Sequence, residues 1–496
     1  MPPTVRPVTS QPVSDEPARS DPFVRGLSEA IGGPLGDHAV RAPVRIPGAS
    51  KFWTASRIVL ALACAVLALG WVQKSPCRDG AWVGLKQYKY FCYTDVLALY
   101  YAEHLSDGAV PYRDHAVEYP VVTGAFMGLI GLPVHAIGKS LPDNNEGRAF
   151  YDINAIALGA MGVATAGAIL AARRRRPWDA AMFAVAPALF VSATVNWDLL
   201  CVGLTAMSLA AWARRRPVMA GVLLGLGVGA KFYPLLIVGP LLILALRTNR
   251  WRDVGITVGT GLGTWIAVNA PVYILYKQSW ETFFSFNQTR GIDWGTLWYI
   301  GAHFPTGGGT YGLSWFSQLD ADPSHSRLNT LYLALFALSC VGIGMLALMA
   351  KRRPRLAQLV FLVVALFLIT GKVWSQQYVL WLIPLAVLAR PRWGAFLAWQ
   401  FAELIYFVSF YGELMGASGK QVFPEGIFVL AASLRLVTLC VLVGFVVRDI
   451  LYPELDVVRS TYDDDPDGGE FDGAPDGPFG LAVRGKARVP VEPVPV

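Results

Sequence analysis

From Phe52 to about residue 450 the chain is a succession of apolar runs, many of them closed by a cluster of arginines. No single water-soluble core can absorb that pattern. Charged residues make up only 16% of the 496 positions and hydrophobic ones 54%, whereas a soluble domain carries about a quarter charged residues. Inside a bilayer every backbone polar group must be satisfied within its own segment, so the expectation is an all-α polytopic membrane protein. The net charge of +7 does not point to nucleic acid. Most Lys and Arg sit at the ends of apolar runs, where they orient helices. The expected partner is the lipid bilayer.

Three regions follow. Residues 1–50 are rich in Pro, Ser, Arg and Asp and have no apolar period, which is the composition of a disordered N-terminus. They do not read as a signal peptide, because the first long apolar run begins only at Phe52. Residues 51–450 form the membrane domain. Residues 451–496 are polar, with Asp463, Asp464, Asp465, Asp467 and Glu470, and read as a disordered, solvated acidic tail.

Arg41, Arg45, Lys51 and Arg57 precede the first span and place the N-terminus in the cytoplasm. The run 121–138 poses a conflict: were it a span, Arg173–Arg176 would fall outside. It is broken by Gly124, Gly128, Gly131 and Pro133, so it reads as an amphipathic or re-entrant helix at the outer surface. Every later cluster, from Arg214–Arg216 to Arg390 and Arg392, then becomes cytoplasmic. About twelve spans result, with both termini inside. The runs 199–213, 217–230, 234–247 and 378–389 are shorter than the about 20 residues a straight crossing needs. Short paired spans suggest a thinned region or a cavity reached from outside, where irregular backbone is tolerated.

The outer turns carry the chemistry. Tyr93-Thr94-Asp95 opens a short helix, where Thr94 or Asp95 can be its cap and Asp95 can equally have a catalytic role. Glu118-Tyr119-Pro120 begins the next helix, and Asn196-Trp197-Asp198 fills a turn between two short spans. Lys231, in Lys231-Phe232-Tyr233-Pro234, Arg290 and Lys372 are cations beside apolar runs, and together they suit a phosphate. The alternative is three side chains snorkelling to the headgroups. Residues 276–328 are dense in aromatics and include Gly307-Gly308-Gly309, a flexible hinge. These aromatics suit an interfacial belt or a platform for sugar rings and lipid chains. Cys77 and Cys92 fall in the first outer segment, where a disulfide is plausible. No Cys/His spacing suits a metal, and no phosphate-binding Gly-rich loop is present.

These stretches, with Pro111-Tyr112, Arg290-Gly291-Ile292 and Lys372-Val373-Trp374-Ser375-Gln376-Gln377-Tyr378, resemble in order and outer location the polyprenol-phosphate-dependent glycosyltransferases of family 87. The resemblance covers about residues 52–448. It implies a GT-C bundle whose long first outer loop carries membrane-surface helices. It also implies transfer of a sugar, mannose by expectation, from a polyprenyl-phosphate donor to a cell-envelope glycolipid or polysaccharide. Asp95 inherits the role of general base. Glu118, Tyr119, Asn196, Asp198, Tyr233, Gln376, Gln377 and Tyr378 become substrate-binding residues beside Lys231, Arg290 and Lys372. The single carboxylate at Tyr93-Thr94-Asp95, where some relatives have a pair, argues against a divalent metal. No other cofactor is expected, because the lipid-phosphate sugar is a substrate. The expected location is the plasma membrane, with the active site outside. The composition fits an actinobacterium. The competing functions are a lipid-linked-sugar flippase and a polysaccharide ligase or polymerase.

Overall fold

A computed structural model describes residues 21, 23–24, 54–140, 145–307, 310–321 and 323–474. Its fabric is α-helical, apart from a small ribbon pairing Pro305–Gly307 with Thr310–Tyr311. The chain opens with α1 (Ala55–Gln73), the short α2 (Asp95–Ala102), α3 (Val121–Ile137) and α4 (Glu146–Ala172). After two buried helical pieces, Asp179–Ala184 and Pro187–Ser192, come α5 (Asp198–Ala213), α6 (Pro217–Ala230), α7 (Val238–Thr248), α8 (Arg252–Leu275) and α9 (Lys277–Thr289). The C-terminal half holds α10 (Ser326–Met349), α11 (Leu356–Thr370), α12 (Val379–Ala389), α13 (Trp393–Ala417) and α14 (Glu425–Leu451).

Six of these, α1, α4, α8, α10, α13 and α14, are long and apolar enough to cross a bilayer. The runs expected to be short are short: α5, α6 and α7 have 16, 14 and 11 residues, and α12 has 11. These short helices are central. Every residue of α12 is buried, and α11 is nearly as enclosed. The long helices α8 and α10 turn most of their surface outward, as lipid-facing helices do.

The arginine clusters converge on one end of the bundle. Arg173 and Arg355 both donate to the carbonyl of Leu388, and Arg390 pairs with Asp449 at 3.1 Å. Here the structure corrects the expected solvated tail. Residues 453–474 fold against this end, with Asp465 and Asp467 buried. Asp467 meets Arg173 at 2.6 Å, Asp456 meets Arg355 at 2.7 Å, and Phe471 packs on Trp212. The acidic run is therefore the counter-charge of buried arginines, a pairing that lies more than a hundred residues apart in the chain. Residues 475–496, most of 1–50, and Gly308 and Gly309 of the expected hinge lie outside the described residues. Within 1–50, Asp21 is buried and accepts the backbone N–H of Trp393 at 2.8 Å.

Helix α3 packs its glycines inward. Gly124, Gly128 and Gly131 lie at helical spacing and meet Tyr112, Pro111 and Leu105. Leu129, on the other face, is exposed.

Candidate active site

At the opposite end of the bundle the outer turns close around a cavity of about 600 Å³. Asp95 stands at its wall. The cap of α2 is Thr94, whose hydroxyl accepts the N–H of Val96 at 3.2 Å. Asp95 is thereby released from capping. The same Thr94 hydroxyl donates to the carbonyl of Thr194 at 2.6 Å, and the N–H of Asp95 donates to Val195 at 2.7 Å. These bonds lay the start of α2 along residues 194–196 and bring Asn196 to Asp95. One amide group of Asn196 donates to both the Asp95 carboxylate and the Tyr119 hydroxyl, each at 2.7 Å. Burial raises the Asp95 carboxyl above its ordinary range. Hydrogen bonds from Asn196 and Tyr93 and the charge of Lys231 pull it back only in part. Glu118 is raised in the same way, first by burial and then by the charge of Asp95.

The turn Asn196-Trp197-Asp198 is held from behind by α4. Trp197 donates its indole N–H to Asn154 at 2.8 Å, and the Thr194 hydroxyl meets Tyr151 at 2.9 Å. Asp198 does not reach the cavity. It is fully buried beneath the floor, where it accepts the Lys231 ammonium at 2.9 and 3.0 Å and the Trp381 indole N–H at 2.6 Å. Lys231 itself faces the cavity among aromatic rings. Its nitrogen lies 5.0 Å from the Tyr378 ring centre and 5.8 Å from those of Tyr119 and Trp381. Tyr233 stacks on Trp381 at 4.5 Å, and Tyr378 stacks on it at 3.9 Å.

Arg290 enters from the other side, paired with Asp293 at 3.4 Å. Lys372 does not line the cavity. It lies behind the wall and donates to the carbonyls of Gln288 and Arg290, at 3.1 and 2.5 Å. Burial, then the neighbouring Arg290, pushes its ammonium down to about 8. The expected three-cation cluster thus becomes two cations at the cavity and one that fastens the chain carrying Arg290.

Of the residues singled out in the sequence, Asp95, Glu118, Tyr119, Asn196, Lys231, Tyr233, Arg290, Gln376, Gln377 and Tyr378 all line this cavity. Cys77 and Cys92 form a disulfide just before α2. Sequence reasoning missed Trp381, although it stands three residues after Tyr378 and so one helical turn further along the same face. It also missed Lys74, a buried lysine donating to the carbonyls of Phe91 and Tyr93 at 3.1 Å each. A lysine at the polar end of α1 gave no signal beyond an ordinary helix terminus. Among the described residues, no three His, Cys, Asp or Glu side chains converge as a metal would require.

A helical membrane bundle that opens at one end into a cavity holding a raised carboxylate, two cations and stacked aromatics has the make-up of a membrane-embedded transferase for a charged, ring-bearing substrate. The sequence model of glycosyltransferase family 87 matches residues 126–375, just over half of the chain, and the protein belongs to that family. It is thus a membrane glycosyltransferase. No curated protein matches the chain. The family match begins after Asp95 and Glu118 and stops at Ser375, so those carboxylates rest on geometry alone.

Proposed function

We propose that the protein transfers mannose from a polyprenyl-phosphate donor to a hydroxyl of a cell-envelope glycolipid or polysaccharide. The observation that carries this reading is that the Asp95 carboxylate and two cations, Lys231 and Arg290, share one cavity at the end of a membrane bundle. Asp95 takes the proton of the acceptor hydroxyl as its oxygen bonds to the anomeric carbon. The bond from that carbon to the phosphate oxygen breaks, and the polyprenyl phosphate leaves with the electron pair. A phosphate leaving group needs positive charge held ready where its own charge develops. Arg290 supplies a forked donor, and Lys231 keeps ammonium capacity beyond its bond to Asp198. Glu118, Gln376 and Gln377 offer hydroxyl-binding groups, while Tyr119, Tyr233 and Tyr378 offer ring faces. The mechanism requires no divalent metal, and chelation by EDTA should leave the rate unchanged.

The cavity faces the extracytoplasmic side of the plasma membrane in this reading, with both termini in the cytoplasm. Two features support it. The disulfide lies at the cavity end, and the arginine clusters that hold Arg173 and Arg355 lie at the other. The test is transfer of labelled mannose from polyprenyl-phosphate mannose in membranes carrying equal amounts of wild type or Asp95→Asn. Label should reach a lipid or glycan acceptor with the wild type alone. Equal transfer by both would remove Asp95 from the mechanism and leave Glu118 as the base.

A further inference from the structure

Two charges are buried inside long apolar helices. Arg435 lies ten residues into the 27-residue α14 and Glu403 lies midway along α13; both are buried. Such charges are costly at membrane depth and persist where they do a task. The Nε of Arg435 meets the Glu403 carboxylate at 3.1 Å, and Trp399, one turn away, donates to the same carboxylate at 3.0 Å. The two terminal nitrogens of Arg435 point elsewhere. They donate to the consecutive carbonyls of Trp374 and Ser375, at 3.3 and 3.4 Å. The guanidinium plane lies between two rings, 3.9 Å from the centre of Trp374 and 4.1 Å from that of Tyr406.

Both rings belong to the cavity's support. Trp374 is part of the irregular segment 371–378, which presents Ser375, Gln376, Gln377 and Tyr378 to the cavity. Tyr406 donates its hydroxyl to the carbonyl of Trp294 at 3.2 Å, next to Asp293, the partner of Arg290. The two segments are joined directly by the N–H of Asp293 on the carbonyl of Lys372, at 2.9 Å. Gly295 has a left-handed backbone, and a Cβ there would meet the Tyr406 hydroxyl at 2.3 Å. One guanidinium therefore braces both chain segments that form one wall of the cavity, of which only Gln376–Tyr378 forms a helical turn of its own.

We propose that Arg435, oriented by Glu403, is a positioning residue that fixes the cavity segments 371–378 and 291–296 for sugar transfer. This rests on the reading of the cavity as the transfer site. A planar fork is needed to reach a carboxylate on one edge and two carbonyls on another, and an ammonium cannot replace it. Loss of geometry on the order of 1 Å in such a wall can lower turnover roughly 100-fold.

The test uses full-length protein in nanodiscs. Arg435→Lys keeps the ion pair but not the fork, and the double variant Arg435→Met with Glu403→Leu removes both charges at similar volume. Hydrogen exchange of 371–378 and 291–296 is read beside the melting temperature, and kcat and acceptor KM are read from mannose transfer. Faster exchange confined to those two segments, an unchanged melting temperature, and a kcat roughly 100-fold lower at constant acceptor KM are expected. Unchanged exchange would overturn the proposal, as would faster exchange spread over the bundle with a lower melting temperature, or normal kcat despite loosened segments. If the wild type transfers no mannose, the donor assignment fails while the exchange result still decides whether Arg435 holds the wall.

Discussion

The titration of Asp95 follows from its burial and from its hydrogen bond with Asn196. The Asp95 carboxyl is raised by burial, while the Asn196 hydrogen bond stabilises its charged form and pulls in the other direction. A general base acts when deprotonated. Transfer should therefore fall as pH drops through a value above the ordinary carboxylate range and level off at higher pH. Asn196→Ala removes the charge-stabilising bond, so the acid limb of kcat/KM should move to higher pH. A limb that stays in place would show that Asn196 does not act on Asp95. Asp95→Asn should lower kcat on the order of 10²–10⁴-fold with the fold intact. Asp198 makes a different prediction. It is fully buried and holds both Lys231 and Trp381. Breaking a buried pair by removing one partner costs about 3–5 kcal/mol. Asp198→Ala should lower the melting temperature as well as the rate, and a rate loss at constant melting temperature would place Asp198 in substrate contact instead.

At the scale of elements, α3 is placed by its small residues. A Cβ on Gly124 would meet the Tyr112 hydroxyl at 2.2 Å, and that hydroxyl donates to the carbonyl of Tyr119 at 2.9 Å. Tyr119 shares the Asn196 amide with Asp95. Gly124→Ala thus forces a rearrangement that reaches Asp95 through Tyr112, Tyr119 and Asn196. Overpacking of this kind costs about 1–3 kcal/mol. A thermal-shift measurement should show lower stability with reduced transfer, whereas Gly159→Ala in α4, where a Cβ meets nothing, should lower neither. A Gly124→Ala protein as stable and active as the wild type would break this chain of contacts. The interruption of 121–138 by glycines was legible in the sequence, and so were the shortness of α5, α6, α7 and α12 and the gathering of the outer motifs, because length, glycine spacing and charge placement act locally. What was not legible depends on partners far along the chain. Asp198 reads like Asn196 until Lys231 and Trp381 are seen around it. Lys372 reads like Lys231 until its ammonium is found on two carbonyls. Arg435 and Glu403 did leave a trace, as lone charges in apolar runs, but their target, the 371–378 segment, is defined only by the packing of α13 against α14.

For the whole molecule, the two ends of the bundle divide the work. Helix α11 has 15 residues, so by its rise of about 1.5 Å per residue it spans roughly 22 Å, less than the hydrocarbon core of a typical bilayer. Arg355 caps its start, and Lys372 of the cavity segment follows its end. At the Arg355 end, the segment 453–474 supplies Asp456 to Arg355 and Asp467 to Arg173, and the Asp465 carboxylate accepts the N–H of Leu356 at 2.7 Å. Trp212 donates to the carbonyl of Gly468 at 2.9 Å, which ties α5 to the same segment. A chain stopped after Tyr452 would leave Arg173 and Arg355 buried without their carboxylates. Each uncompensated charge costs about 3–5 kcal/mol, so the truncated protein should melt well below the full chain and be recovered in smaller amounts. Stopping after Ala474 retains every one of these contacts and should melt above the shorter chain. Because the segment lies at the far end from Asp95, the folded fraction of the shorter truncation should retain its turnover per molecule. Equal melting temperatures for the two truncations would show that residues 453–474 only rest on the bundle; a normal melting temperature with lost turnover would instead mean that this end of the bundle is coupled to the cavity through α11 and α12.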